Sequence, residues 1–184
     1  MGSHDAYGKR ILREAAGSAY QERGAPVEVD YKAGRPGHID GAVGDLIAVE
    51  VESRVAKQIR GAVLDLIFHP YPRKLLVLVP VHMANVAIAA KQCAFALGRF
   101  IDKADFRVAV LKGTGQLPQL RNDADVISRA LAELGWKPQN AAVNKTHVLD
   151  DDFGEDPAER GRRIYRREEA SNVIERLLSD DEEM

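Results

Sequence analysis

An α/β fold with a mixed central β-sheet flanked by helices follows from three features of this 184-residue sequence. Residues 74–79, KLLVLV, form a continuous apolar run, the mark of a strand buried on both faces. A helix-length stretch at 84–101 and a further strand at 106–111 follow it, an order that suits a parallel crossover on one sheet. Upstream, two short alternating runs flank Gly44-Asp45, a turn signal that predicts an antiparallel hairpin. Parallel and antiparallel pairs in one sheet make it mixed.

Taken in order, residues 5–23 read as an amphipathic helix ended by Gly24. Its inner side carries Tyr7, Ile11, Ala15 and Ala19, or Leu12 and Ala16. Residues 27–31 alternate like a first strand, and 32–38, KAGRPGH, form a basic Gly/Pro loop leading straight to Asp40. Asp40 opens the next strand, and Glu50 and Glu52 lie near the end of the one after it. Residues two apart on a strand share a face, so Glu50 and Glu52 project together while Ile47, Val49 and Val51 turn towards a core. The hairpin brings Asp40 across from the two glutamates. Three acids on one patch repel unless a cation joins them, and Mg2+ is the hard ion that binds through a few carboxylates and waters. The same alternation also suits the solvated face of a half-exposed sheet.

Residues 54–68 read as a helix with Val55, Ile59, Ala62, Val63 and Leu66 as its apolar stripe; Arg54, Lys57, Gln58, Gly61 and Asp65 share the opposite wedge. Residues 113–121 form a loop, 123–134 a last helix ending at Gly135, and 150–157, DDDFGEDP, a linker. Beyond it, 159–178 can be helical, with Arg160, Arg162, Arg163, Arg166 and Arg167 around Tyr165. This is either an arm for DNA or a partner, or a solvated charged helix. The expected division is a domain at 1–149 and a linker with a charged helix or arm at 150–184.

Composition agrees with a soluble domain: 45% of residues are hydrophobic and 29% charged. The net charge of -2 hides an asymmetry. Residues 1–149 carry 20 Lys and Arg against 15 Asp and Glu, a net +5, while 150–184 carry 6 against 13, a net -7. The basic part suits phosphate binding. Residues 75–90 are apolar but broken by Pro80, His82 and Asn85, too short to span a bilayer, and Cys93 reads as a buried reduced thiol. The expected location is the cytoplasm. No zinc spacing, P-loop or nucleophile elbow is present in the sequence.

The order helix, strand, strand with Asp40, strand with Glu50-Val51-Glu52, helix, strand resembles the core of the PD-(D/E)xK nuclease superfamily over residues 7–112. That family resemblance implies a restriction-endonuclease-like core, with Mg2+ held at Asp40 and Glu50 and with Val51, the residue after Glu50, in the metal set. Two positions depart from the signature: Ile39 stands where Pro is usual, and Glu52 where Lys is usual. A minority of type II restriction endonucleases resemble this chain in carrying an acid there. Glu52 would then orient the water or bind a second metal, and Lys57, one helical turn further on, could stand in for the missing Lys. The implied activity is Mg2+-dependent hydrolysis of duplex DNA by a homodimer, most like a type II restriction enzyme. A Holliday-junction resolvase and a non-catalytic DNA-binding or assembly subunit are the alternatives. DNA contacts are expected from Lys32, Arg35, His38, Arg54, Gln58, Arg162, Arg163 and Arg166.

Overall fold

A computed structural model describes residues 3–32, 34–54, 56–114 and 116–137. The first helix, α1 (Ser3–Ala16), buries Tyr7, Ile11, Leu12 and Ala16, while Ala15 and Ala19 are partly buried. Both alternatives for its inner side are therefore used. The helix is shorter than the expected 5–23. Gly17 takes a left-handed backbone, φ 58°, which breaks the helix before Gly24 is reached. The chain passes through a 3-10 turn (Gly17–Ala19) into β1 (Tyr20–Gln21), an edge strand that the helical reading had absorbed.

The expected strand at 27–31 shrinks to β2 (Glu28–Val29), which pairs with β3 (Gly37–His38) as a separate two-stranded ribbon. The hairpin forms as expected. Strands β4 (Gly41–Val43) and β5 (Ile47–Glu52) run antiparallel, with Val43 opposite Ile47 and Gly41 opposite Val49. Helix α2 (Ala56–Phe68) then crosses to β6 (Arg73–Leu78), and α3 (Val86–Leu97) to β7 (Phe106–Val110). β5, β6 and β7 are parallel. Helix α4 (Leu120–Glu133) closes the described part of the chain.

The result is an α/β fold with a mixed five-stranded sheet in the order β1-β4-β5-β6-β7. Alternation along the strands explains the layers. Val49, Val51, Leu75 and Val77 pack against α1 and α4 on one face, whereas Ala48, Leu76 and Leu78 pack against α2 and α3 on the other. Each fully buried Leu or Ile in these layers contributes ~1.5–3 kcal/mol of transfer free energy, so two covered faces account for an apolar run such as β6. Cys93 is buried and unpaired, and burial pushes its thiol up to about 11. Among the described residues no helix is long and apolar enough to cross a membrane.

Candidate active site

The site lies where β4 stops and β5 continues. The last β4–β5 pair is Gly41 with Val49, so the Val51 backbone has no strand partner on that side. The Asp40 side chain takes its place: Oδ2 accepts the Val51 N–H at 3.0 Å. The N–H and C=O of one strand residue point to the same edge, so the Val51 carbonyl also lies on the Asp40 side. From β1, the Tyr20 hydroxyl donates to the Asp40 carbonyl at 3.2 Å, fixing the backbone of the acid as well as its side chain. The same surroundings raise the Tyr20 pKa, mainly by burial and then by the charge of Glu22 and Asp40.

Glu50 is the deeper of the two acids. It is 6% exposed, and its carboxyl lies beside the side chain and backbone of Asp40. Burial pushes its pKa up to about 10, and the Asp40 charge adds to the rise. Glu50 therefore holds a proton at neutral pH in the cation-free protein. Asp40 pairs with Lys9 of α1, whose Nζ lies 2.7 Å from Asp40 Oδ1. The Lys9 side chain is 7% exposed and that of Asp40 26%, so the opening to solvent is on the Asp40 side of the pair.

Glu52 shares a strand face with Glu50, as the spacing requires, and at 4% exposure neither the solvated-face reading nor a free carboxylate describes it. Its Oε1 accepts from the Ser53 N–H at 2.9 Å, the Arg54 N–H at 2.8 Å and Arg54 Nε at 3.1 Å. Ser53 in turn donates to Asp5 of α1 at 2.8 Å. Glu52 thus caps the turn that leads from β5 towards α2. The expected cluster of three acids is a pair, Asp40 and Glu50, with the third turned to its own backbone. Among the described residues no group of three or more His, Cys, Asp or Glu side chains is arranged to hold a metal ion. The available donors are two carboxylates and the Val51 carbonyl, all hard oxygens, with one carboxyl held protonated by burial beside the other. That donor set fits Mg2+, which takes oxygen ligands and needs few from the protein.

The remaining expected residues divide by place. Lys32, Arg35 and His38 are exposed on or beside the β2–β3 ribbon. Lys32 closes a local loop with Asp30, Nζ to Oδ2 at 2.5 Å. Arg54 is exposed with its guanidinium on Glu52. Lys57 and Gln58 lie on the first turn of α2, their side chains outside the described residues, and Arg162, Arg163 and Arg166 fall outside them too, with the division at 149/150.

Lys9 and Asp5 escaped the sequence reading, although a signal was there. Positions 5, 9, 12 and 16 form one helical stripe, and a lysine in line with Leu12 and Ala16 is a charge placed where burial is expected. Gly8 brings this stripe close to the sheet. A Cβ there would stand 2.4 Å from Val51 Cγ1, so a larger residue would push α1, and Lys9 with it, away from Asp40.

Comparison with protein-family models, with curated proteins and with solved structures finds no match for this chain.

Proposed function

We propose that the chain is a Mg2+-dependent DNA endonuclease working at the Asp40–Glu50 pair, most like a type II restriction enzyme acting on duplex DNA as a homodimer. The observation that carries this reading is a carboxyl pair, Glu50 buried and Asp40 half-buried, at the end of a strand ladder. Burial and the Asp40 charge push the Glu50 pKa up, and the Val51 carbonyl lies on the Asp40 side of the strand. A bound divalent ion supplies a nucleophilic water at neutral pH and neutralises charge on the phosphoryl oxygens. Asp40 and Glu50 would hold it together with the Val51 carbonyl, Glu50 giving up its proton as it binds. Asp40 is preset for this role because the Val51 amide and the Tyr20 hydroxyl fix it before any ligand arrives. Lys32, Arg35 and His38 on the exposed ribbon and loop, and the arginines near Tyr165, are the groups proposed to meet phosphates.

The engaged state of Glu52 favours one second reading. Oε1 of Glu52 accepts from two backbone amides and Arg54, an engagement that a nuclease-like module that binds DNA without cutting it would tolerate. Incubation of the protein with mixed-sequence duplex DNA and Mg2+, followed by sequencing of the ends, tests the proposal. Discrete ends support the restriction-type reading, and selective cutting of four-way junctions moves it to a resolvase. DNA binding without any hydrolysis leaves the non-catalytic module.

A further inference from the structure

The two edges of the five-stranded sheet are unlike. At one edge β1 is two residues long, whereas at the other β7 runs for five residues, Phe106–Val110, and is apolar except for Arg107. Among the described residues β7 is paired with β6 alone. The Lys74 amide donates to the Asp105 carbonyl and the Leu111 amide to the Leu78 carbonyl, so the alternation of a parallel ladder turns the backbone groups of Arg107 and Ala109 to β6. Phe106, Val108 and Val110 therefore turn theirs outward. Among the described residues one of these groups is capped, the Phe106 carbonyl, which accepts from the Arg107 guanidinium at 2.7 Å. An edge of this length without Pro, Lys or a bulge is a template for another strand.

What can fill the edge is constrained on both faces. Val108 and Val110 project to the α2–α3 face, where they are partly buried, and Phe100, just ahead of the strand, is 74% exposed. On the other face Ala109 is buried and Arg107 is tied to Glu133 of α4. A second β7 set antiparallel about Val108 meets these demands: Val108 faces Val108, Phe106 faces Val110, and Arg107 faces Ala109, so that no like charges are opposed. The strand is complementary to itself.

We infer that β7 is a dimer interface, in which two copies of this chain join their sheets strand against strand across a two-fold axis at Val108. The inference deepens the homodimer proposed above and rests on that reading for the use of two sites. Glu50 pairs with Leu76 and Leu76 with Val108, so both Glu50 residues fall in one row of the joined sheet and on the same face. Such an isologous contact closes on itself, because the edges left over are the short β1 strands.

Sedimentation equilibrium of the full chain, without DNA or divalent ions and over a concentration series, compares the parent with three variants. The parent is expected to be a dimer. Val108→Pro removes the outward amide hydrogen and no β6–β7 bond, so it should weaken association about a hundredfold with the circular dichroism of the parent. Val108→Lys and Val108→Glu each set like charges against each other on the axis. Each alone should be monomeric, and an equimolar mixture of the two should dimerise. A monomeric parent, a dimer indifferent to Val108→Pro, or a mixture that stays monomeric overturns the inference. Should the variants not fold, amide hydrogen exchange of the parent decides: the Val108 amide is expected to exchange slowly in the dimer and fast on dilution, and fast exchange within the dimer would overturn the inference. A dimer joined in this way that never cuts DNA removes the nuclease reading and leaves the interface, whereas cleavage of DNA by a protein that stays monomeric overturns the interface and leaves the nuclease reading.

Discussion

The Asp40 carboxylate accepts the Val51 amide hydrogen at 3.0 Å, at the point where the β4–β5 ladder has ended and the backbone would otherwise lack a partner. One side chain therefore closes the sheet edge with Oδ2 and holds the Lys9 charge with Oδ1. These two duties respond differently to substitution. Asp40→Asn retains an oxygen for Val51, whereas Asp40→Ala leaves both the amide and the buried ammonium unpaired. Thermal or urea unfolding should show Asp40→Ala less stable than Asp40→Asn by about 1–3 kcal/mol, the cost of an orphaned buried donor. Equal stability of the two variants would mean that the Val51 contact does not hold the edge.

Glu50 predicts a pH dependence. An unfolded glutamate titrates near 4.5, whereas Glu50 in the fold is pushed up to about 10. Between those values the folded state keeps a proton that the unfolded state releases. The stability linked to this group is therefore full below the lower value and falls as pH rises towards the higher one. Without divalent ions, the parent's midpoint temperature should decline from about pH 5 to about pH 9 more steeply than that of Glu50→Gln, which has no proton to lose. Added Mg2+ should stabilise the parent most at the alkaline end, since the ion takes the deprotonated form. Parallel curves for parent and Glu50→Gln would show that burial does not control this carboxyl.

Glu52 should behave as a structural residue. Glu52→Gln weakens hydrogen bonds from the Ser53 and Arg54 amides to a charged acceptor, so a loss of about 1–3 kcal/mol in unfolding free energy is expected, with Mn2+ affinity unchanged. A large drop in Mn2+ affinity at preserved stability would place Glu52 among the ligands instead.

The arginine cluster predicts a salt effect. If Arg162, Arg163 and Arg166 contact phosphates, replacing all three by Gln should flatten the log-log salt dependence of DNA binding by roughly one unit per lost contact. Filter binding or fluorescence anisotropy across a salt series reads this slope, and an unchanged slope removes these arginines from the interface.

Much of the architecture was legible because it depends on patterns of period two or on unbroken apolar runs. The hairpin around Gly44-Asp45, the two-faced burial of β6 and the parallel crossovers all follow from such patterns. The boundaries that failed depended on single backbone conformations. Gly17 ends α1 in a stretch whose apolar spacing continues past it, and the two residues of β1 are too few for a strand pattern to emerge. At the site, the spacing placed Asp40 and Glu50 together, but it could not tell a carboxylate free to bind an ion from one spent on its neighbours' amides. Oε1 of Glu52 accepts from two such amides. Lys9 and Tyr20 reach Asp40 from 31 and 20 residues away, through contacts that only the folded chain creates.

The central claim is that Asp40 and Glu50 hold the ion that does the chemistry. Asp40→Asn and Glu50→Gln keep the size of each side chain while lowering its capacity to bind a divalent cation. The direct measurement is single-turnover cleavage of duplex DNA in Mg2+ by the parent and these two variants, each checked for native folding and for DNA binding without divalent ions. The account predicts cleavage by the parent and none by either variant, with DNA affinity preserved or increased in Asp40→Asn, which loses a negative charge near the phosphates, and preserved in Glu50→Gln, whose carboxyl is already neutral without the ion. Cleavage at the parental rate by either folded variant would contradict the account.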